Sequence, residues 1–366
     1  MRTTVVVAGA LANKRGHGGS QWVRMSWAEG LARLGFDVVF VEQLHEGGDP
    51  AAFHGALDLL GLRGALIAPD GVDGMRAEEL HEALDRSALL VNISGHLRDP
   101  ELLARCRLRA FVDLDPGYTQ VWHSQGHDVG LAGHHLFLTV GANVGTRHST
   151  VPGCGLRWIA VRQPVVLDRW PVSDAGFDRF TTVASWRGAF GPLEWQGRRH
   201  GVKAHQFRNY AGVPEACGLP FQIALDLHPA DAADRGRLCA AGWNLLAPEA
   251  VATPQDFAGY VRGSGAEFSV AQGVYVDTRS GWFSDRTVRY LASGRPALVQ
   301  DTGFGRTLPV GEGLLAFSTP EQATRLAGEL VRDHARHRRA ARELAERLFA
   351  PEPALAPLLE ASGVAP

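Results

Sequence analysis

Segment 9–20, GALANKRGHGGS, puts an imidazole beside two glycines, with His17 followed by Gly18, Gly19 and Ser20. An unperturbed imidazole titrates near neutrality, so His17 has the chemistry of a general base, although a solvated loop histidine would look the same. Gly18 and Gly19 let backbone approach a ligand closely, and Ser20 has the side chain to cap a following helix; a purely structural turn is the alternative. The spacing is neither GxGxxG nor GxxxxGK[ST], which removes the dinucleotide fingerprint and the P-loop. In 111–122, FVDLDPGYTQVW, Asp113 and Asp115 fall on one face of a strand. Two carboxylates there suit orienting a histidine or binding acceptor hydroxyls, or else Asp115 before Pro116 only opens a turn. Tyr118, Trp122 and His123 fit either an acceptor pocket or a core.

A second set lies in the C-terminal half. Ser185, Trp186 and Arg187 close one apolar run, and Arg198, Arg199, His200, Lys203 and His205 follow. A cation opposite a helix start holds a diphosphate between point charge and free N–H groups; a solvated basic loop is the alternative. His228, before Pro229 in DLHPAD, is an unusual core histidine and favours ligand contact. In 279–304, RSGWFSDRTVRYLASGRPALVQDTGF, Ser284 and Asp285 open a helix with apolar face Val288, Leu291 and Ala292, and Gly294 stops it. The N–H groups of Asp285, Arg286 and Thr287 would face a phosphate. The Asp285 carboxylate would repel that phosphate, so it is assigned to holding Arg286 or to a sugar hydroxyl.

The elements that must position these residues alternate. TTVVVAGA is a buried strand, SQWVRMSWAEGLARLG an amphipathic helix and FDVVFVEQL a strand, which makes a βαβ unit of a parallel sheet. The rhythm continues to HHLFLTVGANVG, breaks in the proline-bearing stretch 166–178, and resumes at FTTVASW. The expected organisation is therefore two doubly wound α/β lobes facing a cleft, at 1–165 and 179–335, joined by a linker at 166–178. A long charged helix and a helical tail at 336–366 follow, the tail returning to the first lobe. The carboxyl ends of parallel strands bind ligands, which is where both residue sets fall.

Composition agrees with 366 residues in two soluble domains: 45% are hydrophobic and 21% charged. A net charge of -2 offers no concentrated basic face for nucleic acid. The basic residues are arginines except Lys14 and Lys203, which singles those two out. Four cysteines, Cys106, Cys154, Cys217 and Cys239, have no metal-ligand spacing, so no metal is expected, and they suit a reducing cytoplasm. The N-terminal apolar run is too short for a signal peptide, and no segment is long enough to span a membrane.

The glycine turn SGWF, the helix ending ASGRPALV, the loop DTGF, the later GEGLLAF, and the N-terminal GHGGS with its long helix resemble GT-B glycosyltransferases, particularly family-4-like and related actinobacterial ones. The resemblance covers nearly the whole chain in order. It implies a donor lobe at the C-terminal side, with Lys203 on the donor phosphate. The family's two glutamates, eight residues apart, fall at Gly281 and Arg289, neither acidic. Retention and the usual ribose contact do not carry across, and Glu267 is an alternative acid for ribose or sugar. The expected function is transfer of a sugar from a nucleoside-diphosphate sugar to a small-molecule acceptor, in natural-product or glycoconjugate biosynthesis. No cofactor is expected beyond that co-substrate. Donor contacts fall to Gly18, Gly19, Ser185, Arg187, Lys203, His228, Glu267 and the Ser284–Thr287 turn; acceptor contacts fall to Tyr118 and Trp122. In an inverting reaction His17 is the base, oriented by Asp113 or Asp115. The alternatives are a nucleotide-sugar epimerase and a non-catalytic sugar- or nucleotide-binding protein, with a nicotinamide dehydrogenase weakest.

Overall fold

The computed structural model describes residues 2–188 and 190–366. Eight strands form the first sheet: β1 (Thr4–Ala8), β2 (Asp37–Gln43), β3 (Arg63–Ala68), β4 (Gly71–Asp73), β5 (Leu89–Ile93), β6 (Arg109–Asp113), β7 (Leu136–Thr139) and β8 (Trp158–Ala160). Their order is β4-β3-β2-β1-β5-β6-β7-β8, parallel except for the β3/β4 hairpin. The apolar runs in β1 and β5 are buried on both faces, as a parallel sheet covered by helices requires.

The second lobe repeats the plan with β9 (Phe180–Ser185), an antiparallel hairpin of β10 (Leu193–Trp195) and β11 (Arg198–His200), then β12 (Phe221–Asp226), β13 (Trp243–Leu246), β14 (Ala266–Ser269), β15 (Ala297–Gln300) and β16 (Leu314–Phe317). Its main sheet runs β13-β12-β9-β14-β15-β16, all parallel. In both sheets the chain leaves its first strand in one direction and later returns to its other side. That reversal opens a crevice at the carboxyl ends of β1/β5 and of β9/β14. The expected pair of doubly wound lobes is therefore present.

Several local expectations change. The first long helix starts at Gly18 and runs to Arg33, with His17 at the N-cap position and Ser20 inside the first turn, so Ser20 caps nothing. The charged C-terminal helix breaks at Asp333 into Pro320–Arg332 and His334–Leu348. Only Leu136–Thr139 of HHLFLTVGANVG is strand; beyond it Gly141 bridges across the lobes to Trp282. The helix Pro50–Leu60 is an addition to the expected elements, capped by Asp49 with Pro50 in its first turn and closed by Gly61 in the left-handed region. So is the β10/β11 hairpin, whose Gln196 and Gly197 both have positive φ, as a two-residue turn demands.

The lobes touch along the Gly18–Arg33 helix. The Trp22 indole donates to the Pro254 carbonyl at 2.7 Å, and Trp170 in the linker packs edge-on to Trp22 with ring centroids 5.1 Å apart. Trp170 is fully buried, so the linker is held between the lobes at this point. The final helix, Pro351–Ser362, lies on the first lobe, where Leu355 packs beside Gly30. A Cβ on Gly18 would stand 2.1 Å from the Thr253 carbonyl oxygen, and one on Gly19 would stand 2.8 Å from the Phe257 ring. Gly18→Ala is therefore expected to cost about 2 kcal/mol by overpacking. Gly55→Ala, whose Cβ meets open space within a helix, should leave the protein unchanged or slightly more stable. Urea denaturation of both variants checks this, and equal midpoints would refute it.

Candidate functional site

A cavity of about 630 Å³ opens between the two strand-end crevices. Its first-lobe wall begins with the loop after β1. Glu42, at the end of β2, accepts the backbone N–H groups of Leu11 (2.7 Å), Ala12 (3.0 Å) and Asn13 (2.9 Å). Burial pushes the Glu42 carboxyl up, and these donors oppose it. The pinned loop carries Lys14, His17, Gly18 and Gly19 to the cavity. Asp115, just past β6, lines the floor and accepts the Tyr275 hydroxyl from the other lobe at 2.8 Å. Burial raises the Asp115 carboxyl, opposed by that hydrogen bond and by Arg24 and Lys14.

The second-lobe wall centres on Arg286. Its guanidinium donates to Glu267 Oε1, the Val183 carbonyl and Ser269 Oγ, each at 2.7 Å. Burial opposes the Arg286 charge, but Glu267 outweighs it and the pKa rises. Ser284 caps the helix Asp285–Ala292 by accepting the Arg286 N–H at 3.3 Å. Lys203, first residue of the helix Lys203–Tyr210, lines the same wall. Burial, and then the neighbouring Arg286, push its ammonium down to about 7.

Of the expected site residues, His17, Gly18, Gly19, Asp115, Ser185, Lys203, Ser284, Asp285 and Arg286 meet at this cavity. Others do not. Asp113 is fully buried, accepting from Thr119 (2.7 Å), Gln120 (2.7 Å), Thr139 (2.8 Å) and the Asp115 N–H (3.0 Å), so it organises the end of β6 instead of orienting His17. Burial raises its pKa, opposed by these partners. Arg187 is exposed and turned onto Asp231 at 2.8 Å, and exposed His228 accepts from the Ala230 N–H at 3.2 Å. Both are committed outside the cavity. Glu267 is behind the wall and reaches it only through Arg286. Thr287 is buried with its hydroxyl unpaired. Tyr118 is fully buried and donates to Gln272 at 3.1 Å; with Trp122 it backs Phe190, which lines the cavity along with Phe257 and Trp282.

Asp285 does not hold Arg286; it holds Arg289, one turn on, at 2.7 Å. Arg289 in turn donates to Ser26 of the first lobe at 3.2 Å and lies over Trp170, 5.8 Å from the ring centroid. Arg289 is thus an interlobe tie. Sequence reasoning passed over Arg24, Glu42 and Gln272. An arginine on the inward side of an amphipathic helix was the one available signal, and it marks Arg24. Among the described residues no cluster of His, Cys, Asp or Glu is arranged to hold a metal ion, and no helix is long and apolar enough to cross a membrane.

No protein-family model matches this sequence, and no curated protein matches it. Solved structures do match in shape. Anabaena HepE in complex with UDP-glucose superposes with a TM-score of 0.64 at 9% identity, over 99% of this chain and 100% of that one. AviGT4, a glycosyltransferase involved in avilamycin A biosynthesis, gives 0.58 at 16% identity over 99% and 97%. An α-glucosyltransferase in complex with UDP and a 13-mer DNA gives 0.61 at 10% identity over the whole of both chains. The chain has the GT-B fold.

Proposed function

We propose that this protein is a glycosyltransferase that moves a sugar from a nucleoside-diphosphate sugar to an acceptor hydroxyl. The carrying observation is Lys203, an ammonium held in the cleft beside the Ser284-capped helix start, in a chain whose fold relatives include structures in complex with UDP or UDP-glucose. A desolvated cation next to free N–H groups is the arrangement that holds a diphosphate. Ser185, which donates to Asp226 at 2.8 Å, borders the same space. Gly18 and Gly19 bring first-lobe backbone against it, and the closed cleft excludes water while aligning acceptor oxygen and anomeric carbon.

His17, exposed at the mouth, is the proposed base, with Asp115 as the second candidate because it lies in the same cavity. The order of the sequence motifs supports a family-4-like relationship in which Asp285, holding Arg289 through Oδ2, keeps its other oxygen for a ribose or sugar hydroxyl. The acceptor is proposed to be a small molecule of a natural-product or glycoconjugate pathway, met in the cytoplasm. The weak net charge of -2 favours that over nucleic acid.

Incubation with a panel of nucleotide sugars and acceptors, followed by mass spectrometry, tests the reading. A transferase releases nucleoside diphosphate in step with glycosylated acceptor. Donor isomerised without acceptor makes the protein an epimerase, and free-sugar binding without turnover makes it a receptor. His17→Ala is expected to lower turnover about a hundredfold while UDP affinity stays within about twofold. Undiminished turnover removes His17 and passes the role to Asp115.

A further inference from the structure

Two cations on the first-lobe wall are left unused by the donor assignment. Arg24, on the second turn of the Gly18–Arg33 helix, lines the cavity and is only 7% exposed. It donates to the Ser20 carbonyl of its own helix at 3.0 Å, and its Nε is buried with no partner. A guanidinium carries five N–H donors, and leaving them buried and unmatched is costly. Lys14, at the end of the loop pinned by Glu42, lines the same wall, and among the described residues its ammonium meets neither a carboxylate nor another acceptor.

The carboxylates around them are otherwise engaged. Glu42 takes three backbone N–H groups, Asp115 the Tyr275 hydroxyl and Asp285 the Arg289 guanidinium. His96, behind the pair, is pushed down to about 3 by burial and then by Arg24 and Lys14, so it stays neutral. The fold also makes room for the arginine stem. A Cβ on Gly9 would stand 2.8 Å from Arg24 Cγ, so only glycine lets the side chain cross the end of β1.

A buried guanidinium and a half-buried ammonium that hydrogen-bond no carboxylate among the described residues fit an anionic ligand group, since the Glu42, Asp115 and Asp285 charges act on Arg24 only at longer range. The diphosphate is assigned to Lys203 and the Ser284 turn on the other lobe, whereas Lys14 and Arg24 stand at the strand ends of the first lobe. We infer that the acceptor carries an anionic group, a phosphate or carboxylate, and that Arg24 and Lys14 bind it. Calling that ligand the acceptor rests on the transferase reading; the anion site does not.

The test titrates inorganic phosphate into UDP-saturated protein by calorimetry, and compares glucose 6-phosphate with glucose. Phosphate and the phosphorylated sugar are expected to bind, with glucose weaker by about tenfold or more. Arg24→Gln and Lys14→Gln should each weaken phosphate about tenfold and leave UDP within about twofold. No phosphate binding to the UDP complex overturns the inference. So does a pair of variants that weaken UDP and spare phosphate, because the cations then belong to the donor diphosphate. If UDP fails to bind but phosphate binds with the same losses in the variants, the anion site stands and the transferase reading falls. Arg24→Gln removes a buried charge that no carboxylate hydrogen-bonds, so its melting temperature should rise by about 2 °C. A clearly lower one would show Arg24 paired in the folded protein, against the inference.

Discussion

Lys203→Met is expected to lower sugar transfer about a thousandfold and to remove most UDP affinity, since a preorganised charge on a transferring diphosphate contributes on that scale. The pH dependence identifies the group. Its ammonium titrates at about 7 in the folded protein, down from the ordinary 10.5, through burial first and Arg286 second. Between those values the unfolded chain binds a proton that the folded protein lacks. The stability contribution of Lys203 therefore improves as pH rises through this window, and its full penalty stands below about 7. A bound diphosphate favours the charged form and pulls the proton back. Near pH 8, UDP binding should take up close to one proton, seen as a calorimetric enthalpy that differs between HEPES and Tris; near pH 6 the uptake should fade. UDP affinity should weaken above about pH 7, by up to about tenfold per unit. Lys203→Met should abolish both effects. Retained affinity with no proton uptake would take Lys203 out of the donor site.

The largest stability effect is expected at Glu267. Its carboxylate is fully buried and pairs with the Arg286 guanidinium at 2.7 Å, while its second oxygen has no partner. Removing one member of a buried pair strands the other charge in low dielectric, so Glu267→Leu should cost about 3–5 kcal/mol. The double variant Glu267→Leu with Arg286→Met should recover much of that loss, because no lone charge remains. Denaturant titration of both singles and the double gives the coupling. A single-variant loss below about 1 kcal/mol, or a double as unstable as the singles combined, would mean that the pair does not hold this wall. Since Arg286 also ties β9 to β14 through Val183 and Ser269, loss of the pair should loosen the switch point that borders the cavity.

Much of this architecture was legible in local pattern. The β-branched runs of β1, β2 and β5, the glycine stop at Gly294 and the cap at Ser284 each rest on interactions within a few residues. The Pro50–Leu60 helix was missed although its Asp-Pro start and Gly61 end are short-range signals that mark it. The Gln196-Gly197 turn was harder to see, because glutamine is an uncommon choice for a left-handed position. Asp113 and Asp115 show where local reasoning stops. Strand alternation placed them on one side, yet one is enclosed by Thr119, Gln120 and Thr139 while the other reaches a tyrosine of the opposite lobe.

By itself, the order of apolar periods and breakers determined two α/β lobes and the loops at their strand ends, because helices and parallel strands impose different spacings on buried side chains. Only the tertiary structure decided which charges meet. Arg286 chose Glu267 on β14 over Asp285 beside it, Asp285 went to Arg289, Arg187 was drawn out to Asp231, and Arg24 was left with its Nε unpartnered among the described residues. Those outcomes depend on burial and on partners far along the chain. The Coulomb energy of a charge is set by its distance and dielectric surroundings in three dimensions, and neither is a property of its sequence neighbours.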